Sequence, residues 1–360
     1  VLIYFYVSGH GFGHASRDLV LIDAIAERRA DARFVVRTGA PRWLFDSAGA
    51  AIDVQSSDVD TGVAQRDSLH IDEEETVRRA ADFHADFERR ADAEAVTLRK
   101  TGATLVMGDI PPLAFAAAAR ADIPAVAIAN FTWDWIYSGY PRFDALAPTV
   151  IPQIRSAYAA ATRALRLPLH GGFEPMEAVT IDIPFIARRS TRDPAETRRA
   201  LGLPDDRPVV LASFGGYGLD LPLEAISRAN GLTVIAAGRQ LPGGLRYQDL
   251  VAAADVVVSK PGYGIVSECV ANNTALLYTS RGRFVEYDLF VAQMPLLLRC
   301  RYIDQDDVLN GRWREAIDRL LEQPDPPTRP RVDGAAVAAE HVLSVGGANV
   351  VSPPGAARNP

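Results

Sequence analysis

The chain opens Val1-Leu2-Ile3-Tyr4-Phe5-Tyr6-Val7-Ser8-Gly9-His10-Gly11-Phe12-Gly13-His14, and this stretch decides the fold. Val1–Val7 is an unbroken run of apolar β-formers, the pattern of a strand covered on both faces in a parallel sheet. Ser8–Gly13 follows as a glycine loop. From His14 to Arg29, Leu19, Ile22, Ile25 and Ala26 share one helical face, and Arg33–Arg37 is a second strand. Strand, glycine loop, helix and strand form the opening unit of a parallel βαβ fold.

Outward from there the pattern continues, then restarts. Residues 72–100 have helical spacing (Val77, Ala80, Phe83, Phe87, Ala91), and Glu73–Glu75 suits a helix start. Thr104–Met107 is expected as a strand running into Gly108-Asp109, Leu113–Arg120 as a helix and Ala125–Ala129 as a strand. Residues 152–166 are expected to be helical, and Pro168, Gly171-Gly172 and Pro175 to mark a linker. At Pro208 a strand, Val209–Ala212, again runs into a glycine loop, Ser213–Gly218. Strands Thr233–Ala236, Val256–Ser259 and Ala275–Tyr278 alternate with helices Gln248–Ala254 and Ile265–Asn272. The expectation is an α/β chain of two tandem Rossmann-like halves, 1–166 and 167–345, followed by a Pro-, Gly- and Ala-rich tail, 346–360, expected to be disordered. Ligands in such sheets sit outside the carboxyl ends of the strands, and two such halves would share a cleft.

Composition bounds the function. At 360 residues the chain has room for about two domains. A net charge of −7 argues against a general nucleic-acid binder. Cys269 and Cys300 provide neither a disulfide framework nor zinc spacing, so a reducing cytoplasm is the expected compartment. No apolar run approaches the ~18 residues of a membrane span, and Val1–Val7 lacks the basic flank of a signal peptide. Peripheral contact with a membrane stays open.

The first glycine loop fails the dinucleotide fingerprint. His14 stands where that motif needs glycine, and the next strand ends at Arg37 rather than at an acid, which excludes a dehydrogenase. Two imidazoles in one loop suit acid–base work instead. His14 is the first candidate for a base and His10 the second. Asp109 is a third, or the partner that orients a histidine, and its bland alternative is a helix cap before Pro111.

In the second half, the amides of Ser213, Phe214, Gly215 and Gly216 suit a phosphate. Lys260-Pro261-Gly262-Tyr263-Gly264 leads into a helix whose N-terminal amides would face an anion. Ser267 and Glu268 lie one turn into that helix, where a carboxylate is placed to grip vicinal hydroxyls. Arg281 and Arg283 suit a diphosphate, and Glu286 suits sugar hydroxyls. Asp58-Val59-Asp60 and Asp304-Gln305-Asp306 are read as solvated loops, and no metal site is expected. Phe131, Trp133, Trp135, Tyr137 and Tyr140 form an aromatic stretch that offers either flat faces to a ligand or core packing.

Taken together these motifs resemble those of GT-B glycosyltransferases, notably family 28. The likeness rests on the loop ending in His14, on Gly215-Gly216, and on Ala253-Ala254-Asp255-Val256-Val257-Val258-Ser259 running into Gly262 and Ser267-Glu268. The chain also resembles the N-terminal glycosyltransferase-like region of L-arabinokinases. That likeness is carried by Val7–Arg17, Asn130–Tyr137 and Asp182–Arg189 and extends over about residues 1–345. These motifs include no kinase ATP loop, so kinase activity is not implied.

The resemblance implies a GT-B fold whose C-terminal half binds a nucleotide-sugar donor. The base would lie near Leu245–Tyr247, with Tyr247 in the site, the ribose at Glu268, and the diphosphate at Ser213–Gly216 and Gly262–Gly264. The sugar would point at Glu286, and Phe12, Trp133 and Trp135 in the N-terminal half would bind the acceptor. The implied reaction moves a sugar to a hydroxyl of a sugar, lipid or natural product, with inversion and without metal or cofactor. A UDP-sugar is the expected donor. Glu286-Tyr287-Asp288 and Gln293 replace the Asp-Asn-x-x-Gln-like sugar motif of the peptidoglycan enzyme, so the sugar itself stays open. Two other readings remain: a nucleotide-sugar epimerase of the same fold and a non-catalytic nucleotide-sugar-binding module.

Overall fold

The computed structural model describes residues 1–215, 218–238 and 241–346. The chain forms two compact units. The first holds Val1–Ala64, Glu73–Ile186 and the chain from Asp333, and the second holds Gln65–Asp72 and Ala187–Val332.

The first unit is built on β1 (Leu2–Val7), β2 (Arg33–Thr38), β3 (Ile52–Ser56), β4 (Leu105–Asp109), β5 (Ala125–Phe131), β6 (Arg163–Gly171) and β7 (Thr180–Asp182). All pair in parallel, in the order β3-β2-β1-β4-β5-β6-β7. Ile3–Val7 are buried, as an unalternating apolar run requires when helices cover both faces. Strand order reverses between β1 and β4, where Val7 lies opposite Asp109. This is the switch point at which open α/β sheets bind ligands.

Two expectations are corrected here. Helix Val150–Tyr158 ends early, and the stretch expected to be helix and linker is β6, so the division expected after Arg166 falls inside a strand. The breakers are accommodated by a bulge. Pairing with β5 jumps from Ala129↔Arg166 to Phe131↔Gly171, so Pro168 owes the ladder no N–H there.

Helix Gly334–Val345 also belongs to the first unit rather than to a domain 167–345. Gly334 N–H donates to Phe185 O at 3.0 Å. A Cβ at Gly334 would lie 2.1 Å from Pro184 O, so only glycine fits that entry. Arg163 ties the helix down by donating to His341 O and Ser344 Oγ. The helix ends at Gly346, and the tail expected beyond it, residues 347–360, lies outside the described residues.

The second unit carries β8 (Val209–Ala212), β9 (Thr233–Ala236), β10 (Val256–Ser259), β11 (Ala275–Tyr278) and β12 (Cys300–Tyr302), all parallel in the order β12-β11-β10-β8-β9. Its switch point lies between β8 and β10, so the chain leaves those strands side by side at Ser213 and Lys260. Val210, Val256, Val258, Leu277 and Trp313 belong to its core, and Leu69, from far upstream in sequence, joins them. Among the described residues no helix is long and apolar enough to cross a membrane.

Candidate functional site

In the first unit a buried polar cluster lies at the switch point. His14 sits in the first turn of helix Gly13–Arg28 and is 5% exposed. Its Nδ1 is 2.8 Å from Asp109 Oδ1, at the end of β4. Arg17, one turn further on, donates from Nε to Asp109 Oδ2 at 2.6 Å, and its Nη2 donates to Oδ1. Arg17 Nη1 donates to Asn130 Oδ1 on β5 at 3.0 Å. Burial works to raise the Asp109 carboxyl, but the Arg17 and His14 charges outweigh it and hold it at about 2. Arg17 Nη2 also lies 2.9 Å from His14 Nδ1; in the tautomer that gives its Nδ1 proton to the ionised Asp109, Nε2 is the proton acceptor.

Asp18, beside Arg17, is fully buried, and among the described residues no N–H or hydroxyl reaches its carboxyl oxygens. Burial, then the neighbouring Asp109 charge, push its pKa well above the carboxylate range, with Arg17 opposing. The shift favours the protonated acid beside the ionised Asp109.

Asp60 joins this site, which corrects its reading as a solvated loop residue. Trp133 Nε1 donates to Asp60 Oδ2 at 2.9 Å, and Ser8 and the Gly9 amide also bond its carboxylate. Burial raises its pKa against these bonds and the nearby His14.

His10 is packed edge-on against Trp133 and accepts the Val63 N–H at Nδ1. Nδ1 of His10 is thus engaged by the backbone.

The aromatic stretch is core. Trp133 is 1% exposed, and the Trp135 ring fills the space that a Cβ at Gly171 would need. Trp133 presents no open face, and Trp135 is half-buried. Phe12 does stand at the glycine loop, edge-on to Trp43 at 5.3 Å, and Trp43 is 59% exposed.

In the second unit, Ser259 Oγ donates to Ser213 O, and Ser213 N–H donates to Val258 O, which joins the two loops. Ser213 Oγ lies 2.7 Å from Tyr247 OH. Arg188 lies over the Tyr247 ring and donates from Nε to Glu268 Oε1 at 2.6 Å. Glu268, expected to face a ribose, is 4% exposed and held in this ion pair. Burial raises its pKa and Arg188 opposes. Ser267 Oγ donates to Gly264 O within its own helix, and Phe214 is in the core, so neither side chain is offered to a ligand. Gly215 has φ +74°, a conformation that glycine adopts without strain. Gly216 lies outside the described residues.

Lys260 Nζ donates to Gln65 Oε1 at 3.3 Å. Burial, then the Arg281 charge, push this ammonium down to about 7, with Asp67 opposing. Arg281 is largely buried, stacks 3.5 Å over Phe284 and donates to Pro261 O. A Cβ at Gly262 would lie 3.7 Å from Arg281 Nη1, so this cation stands beside the N-terminus of helix Tyr263–Asn272. Tyr263 and Glu286 are buried, and Arg283 is exposed on the next loop.

No protein-family model matches the chain. An L-arabinokinase of Arabidopsis thaliana is 30% identical over 360 residues, covering 94% of this chain and 34% of its own length. The chain thus spans about a third of that curated relative. Among solved structures, CalG4, the calicheamicin glycosyltransferase, is 17% identical with a TM-score of 0.56, over 96% of this chain and 94% of its own. UGT89C1 of Arabidopsis thaliana, complexed with quercetin, is 14% identical with a TM-score of 0.56, over 95% and 94%. A Listeria monocytogenes protein described as a UDP-N-acetylglucosamine 2-epimerase is 11% identical with a TM-score of 0.54, over 95% and 94%.

The chain has the GT-B fold. In this GT-B chain the sequence-expected residues fall into separate groups. His14 and Asp109 meet in the first unit. In the second, Ser213, Tyr247 and Glu268 meet through Arg188, and Lys260, Gly262 and Arg281 form another group.

Sequence reasoning assigned no role to Arg17, Asp18, Asn130, Asp60, Trp43 or Arg188. Arg17, Asn130 and Arg188 stood inside the motifs that carry the family likeness. That was a usable signal. Asp60 had none in its own stretch, since its partners Ser8, Gly9 and Trp133 are remote in sequence.

Proposed function

We propose that the chain transfers a sugar from a nucleoside diphosphate sugar, with a UDP-sugar as the expected donor, to an acceptor hydroxyl, with inversion and without a metal. The observation that carries this reading is the His14–Asp109 pair at the first switch point, Nδ1 to Oδ1 at 2.8 Å, with Nε2 left as the base. His14 takes the acceptor hydroxyl proton as that oxygen bonds the anomeric carbon. The bond from that carbon to the diphosphate oxygen breaks, and the diphosphate leaves with the electron pair. Asp109 steadies the imidazolium so formed, and Arg17, itself held by Asn130, fixes the carboxylate.

In the second unit, the amides at the start of helix Tyr263–Asn272, with Lys260 and Arg281, are suited to the charge of the departing diphosphate. Tyr247, with Ser213 and Arg188 against it, is assigned to the nucleoside end. Phe12 and Trp43 are assigned to an apolar or sugar acceptor face. The free, buried Cys269 and Cys300 suit a reducing cytoplasm.

A thermal-shift screen over UDP-, GDP-, dTDP- and CMP-sugars tests the donor assignment. A donor at 100 times its dissociation constant stabilises the native state by about 2.7 kcal/mol. Release of a nucleoside diphosphate that depends on an added acceptor supports transfer. A new epimer formed without acceptor, or binding with no turnover in any acceptor pool, overturns it.

A further inference from the structure

The segment Gln65–Asp72 comes from the first half of the sequence but is part of the second unit. It is a closed hairpin-like loop. Gln65 and Ile71 form an antiparallel bridge, and Arg66 N–H donates to His70 O at 2.9 Å. Asp67 Oδ1 accepts the Leu69 and His70 N–H groups and fixes the tip.

Three features of this loop engage the residues assigned to the donor phosphates. Leu69 is buried in the core beneath β8 and β10. The Ser68 hydroxyl, itself buried, lies between two carbonyls of the glycine loop, donating to Phe214 O at 2.8 Å and also contacting Gly218 O. Gln65 Oε1 is the acceptor for the Lys260 ammonium.

The chemistry of these partners matters. The single O–H of Ser68 is shared between the carbonyls of Phe214 and Gly218, and ties both to this segment. Lys260, beside Arg281, is given a neutral amide oxygen rather than a carboxylate. A neutral acceptor holds the ammonium in place, yet yields to a phosphate oxygen, which adds the attraction of opposite charges to the hydrogen bond.

We propose that Ser68 and Gln65 are positioning residues of the donor phosphate site: Ser68 anchors the backbone at Phe214 and at Gly218, and Gln65 holds Lys260 ready to exchange its amide partner for the diphosphate. This rests on the donor reading of the second unit. Chain from the first half thereby controls phosphate binding in the second, without itself touching the reacting carbon.

The test uses the full chain and UDP, GDP, dTDP and CDP as probes, with calorimetry at pH 8 in two buffers of different ionisation enthalpy. For the diphosphate that binds the parental protein best, Gln65→Glu gives Lys260 a competing carboxylate. Its affinity falls at least tenfold, the melting point does not fall, and the proton uptake of parental binding disappears because Lys260 is already charged. Ser68→Ala weakens binding about tenfold, and Ser68→Thr restores it to within threefold. Parental affinity and parental proton uptake in both Gln65→Glu and Ser68→Ala overturn the inference while the donor reading stands. A parental protein that binds none of the four diphosphates overturns both.

Discussion

Replacing Asp109 with asparagine keeps the shape of the buried cluster and removes one negative charge from it. In the parental protein that charge faces Arg17 and His14, and the pKa of Asp109 falls from 3.8 to about 2. At ~1.36 kcal/mol per pH unit, the ionised carboxylate contributes roughly 2 kcal/mol to folding. The folded pKa lies below the unfolded one. The contribution is therefore fully present above about pH 4 and is lost as pH falls towards 2.

Removing one partner of a buried ion pair ordinarily costs about 3–5 kcal/mol, because the other charge is left uncompensated. Here a reserve stands beside it. Asp18 is kept protonated by burial and by the Asp109 charge, and Arg17 favours its ionisation. With Asp109 neutral, burial still opposes ionisation of Asp18 but the Asp109 charge no longer does, and Arg17 favours it, so Asp18 is expected to compensate Arg17. Asp109→Asn then costs less than the usual range, and the double variant Asp18→Asn/Asp109→Asn falls within it. Urea unfolding at pH 7 of the parental protein, both single variants and the double variant measures this cycle. A double variant no less stable than Asp109→Asn alone would refute the reasoning.

Asp18→Asn by itself is expected to stabilise the protein at pH 7. The folded pKa of Asp18 is raised, so its contribution is present below about 3.8 and is lost as pH rises, and a neutral amide removes that cost. Urea midpoints for Asp18→Asn and the parental protein should diverge from pH 4 to pH 7, and parallel midpoints would sink the idea. Nucleoside diphosphate affinity should weaken as pH rises past about 7, where the Lys260 ammonium deprotonates. Titrations from pH 7 to 9 should show that slope in the parental protein and none in Lys260→Met. Trp43→Ala should raise the KM for an aromatic or sugar acceptor roughly tenfold at unchanged donor affinity, since Trp43 is an exposed ring beside Phe12. An unchanged acceptor KM would remove Trp43 from that face.

The fold was legible where packing leaves a local mark. β1, β8, β10 and β11 are short apolar runs because both sheet faces are covered, and all four stand where their residues place them. Edge elements left weaker marks. β3 is only partly buried, and its Ile52-Asp53-Val54-Gln55-Ser56 was not recognised. β6 was misread because Pro168 and Gly171-Gly172 look like breakers, and only the bulge against β5 makes room for them.

In the site, His14 and Asp109 were readable because each follows or ends a strand next to the switch point. The roles of Asp60 and Trp133 depend on each other across 73 positions of sequence. Nothing local distinguishes a carboxylate held by a distant indole from one in water. Glu268 looked like a ribose ligand by position, yet its partner Arg188 lies 80 residues upstream.

The most direct test of the central claim follows one sample of His14→Ala through two readings beside the parental protein: donor affinity, and acceptor-dependent release of the nucleoside diphosphate at saturating donor. The account predicts donor affinity within about twofold and turnover reduced by roughly 10²–10⁴, the span that a positioned general base supplies. Turnover at the parental rate would contradict the assignment of His14 as the base.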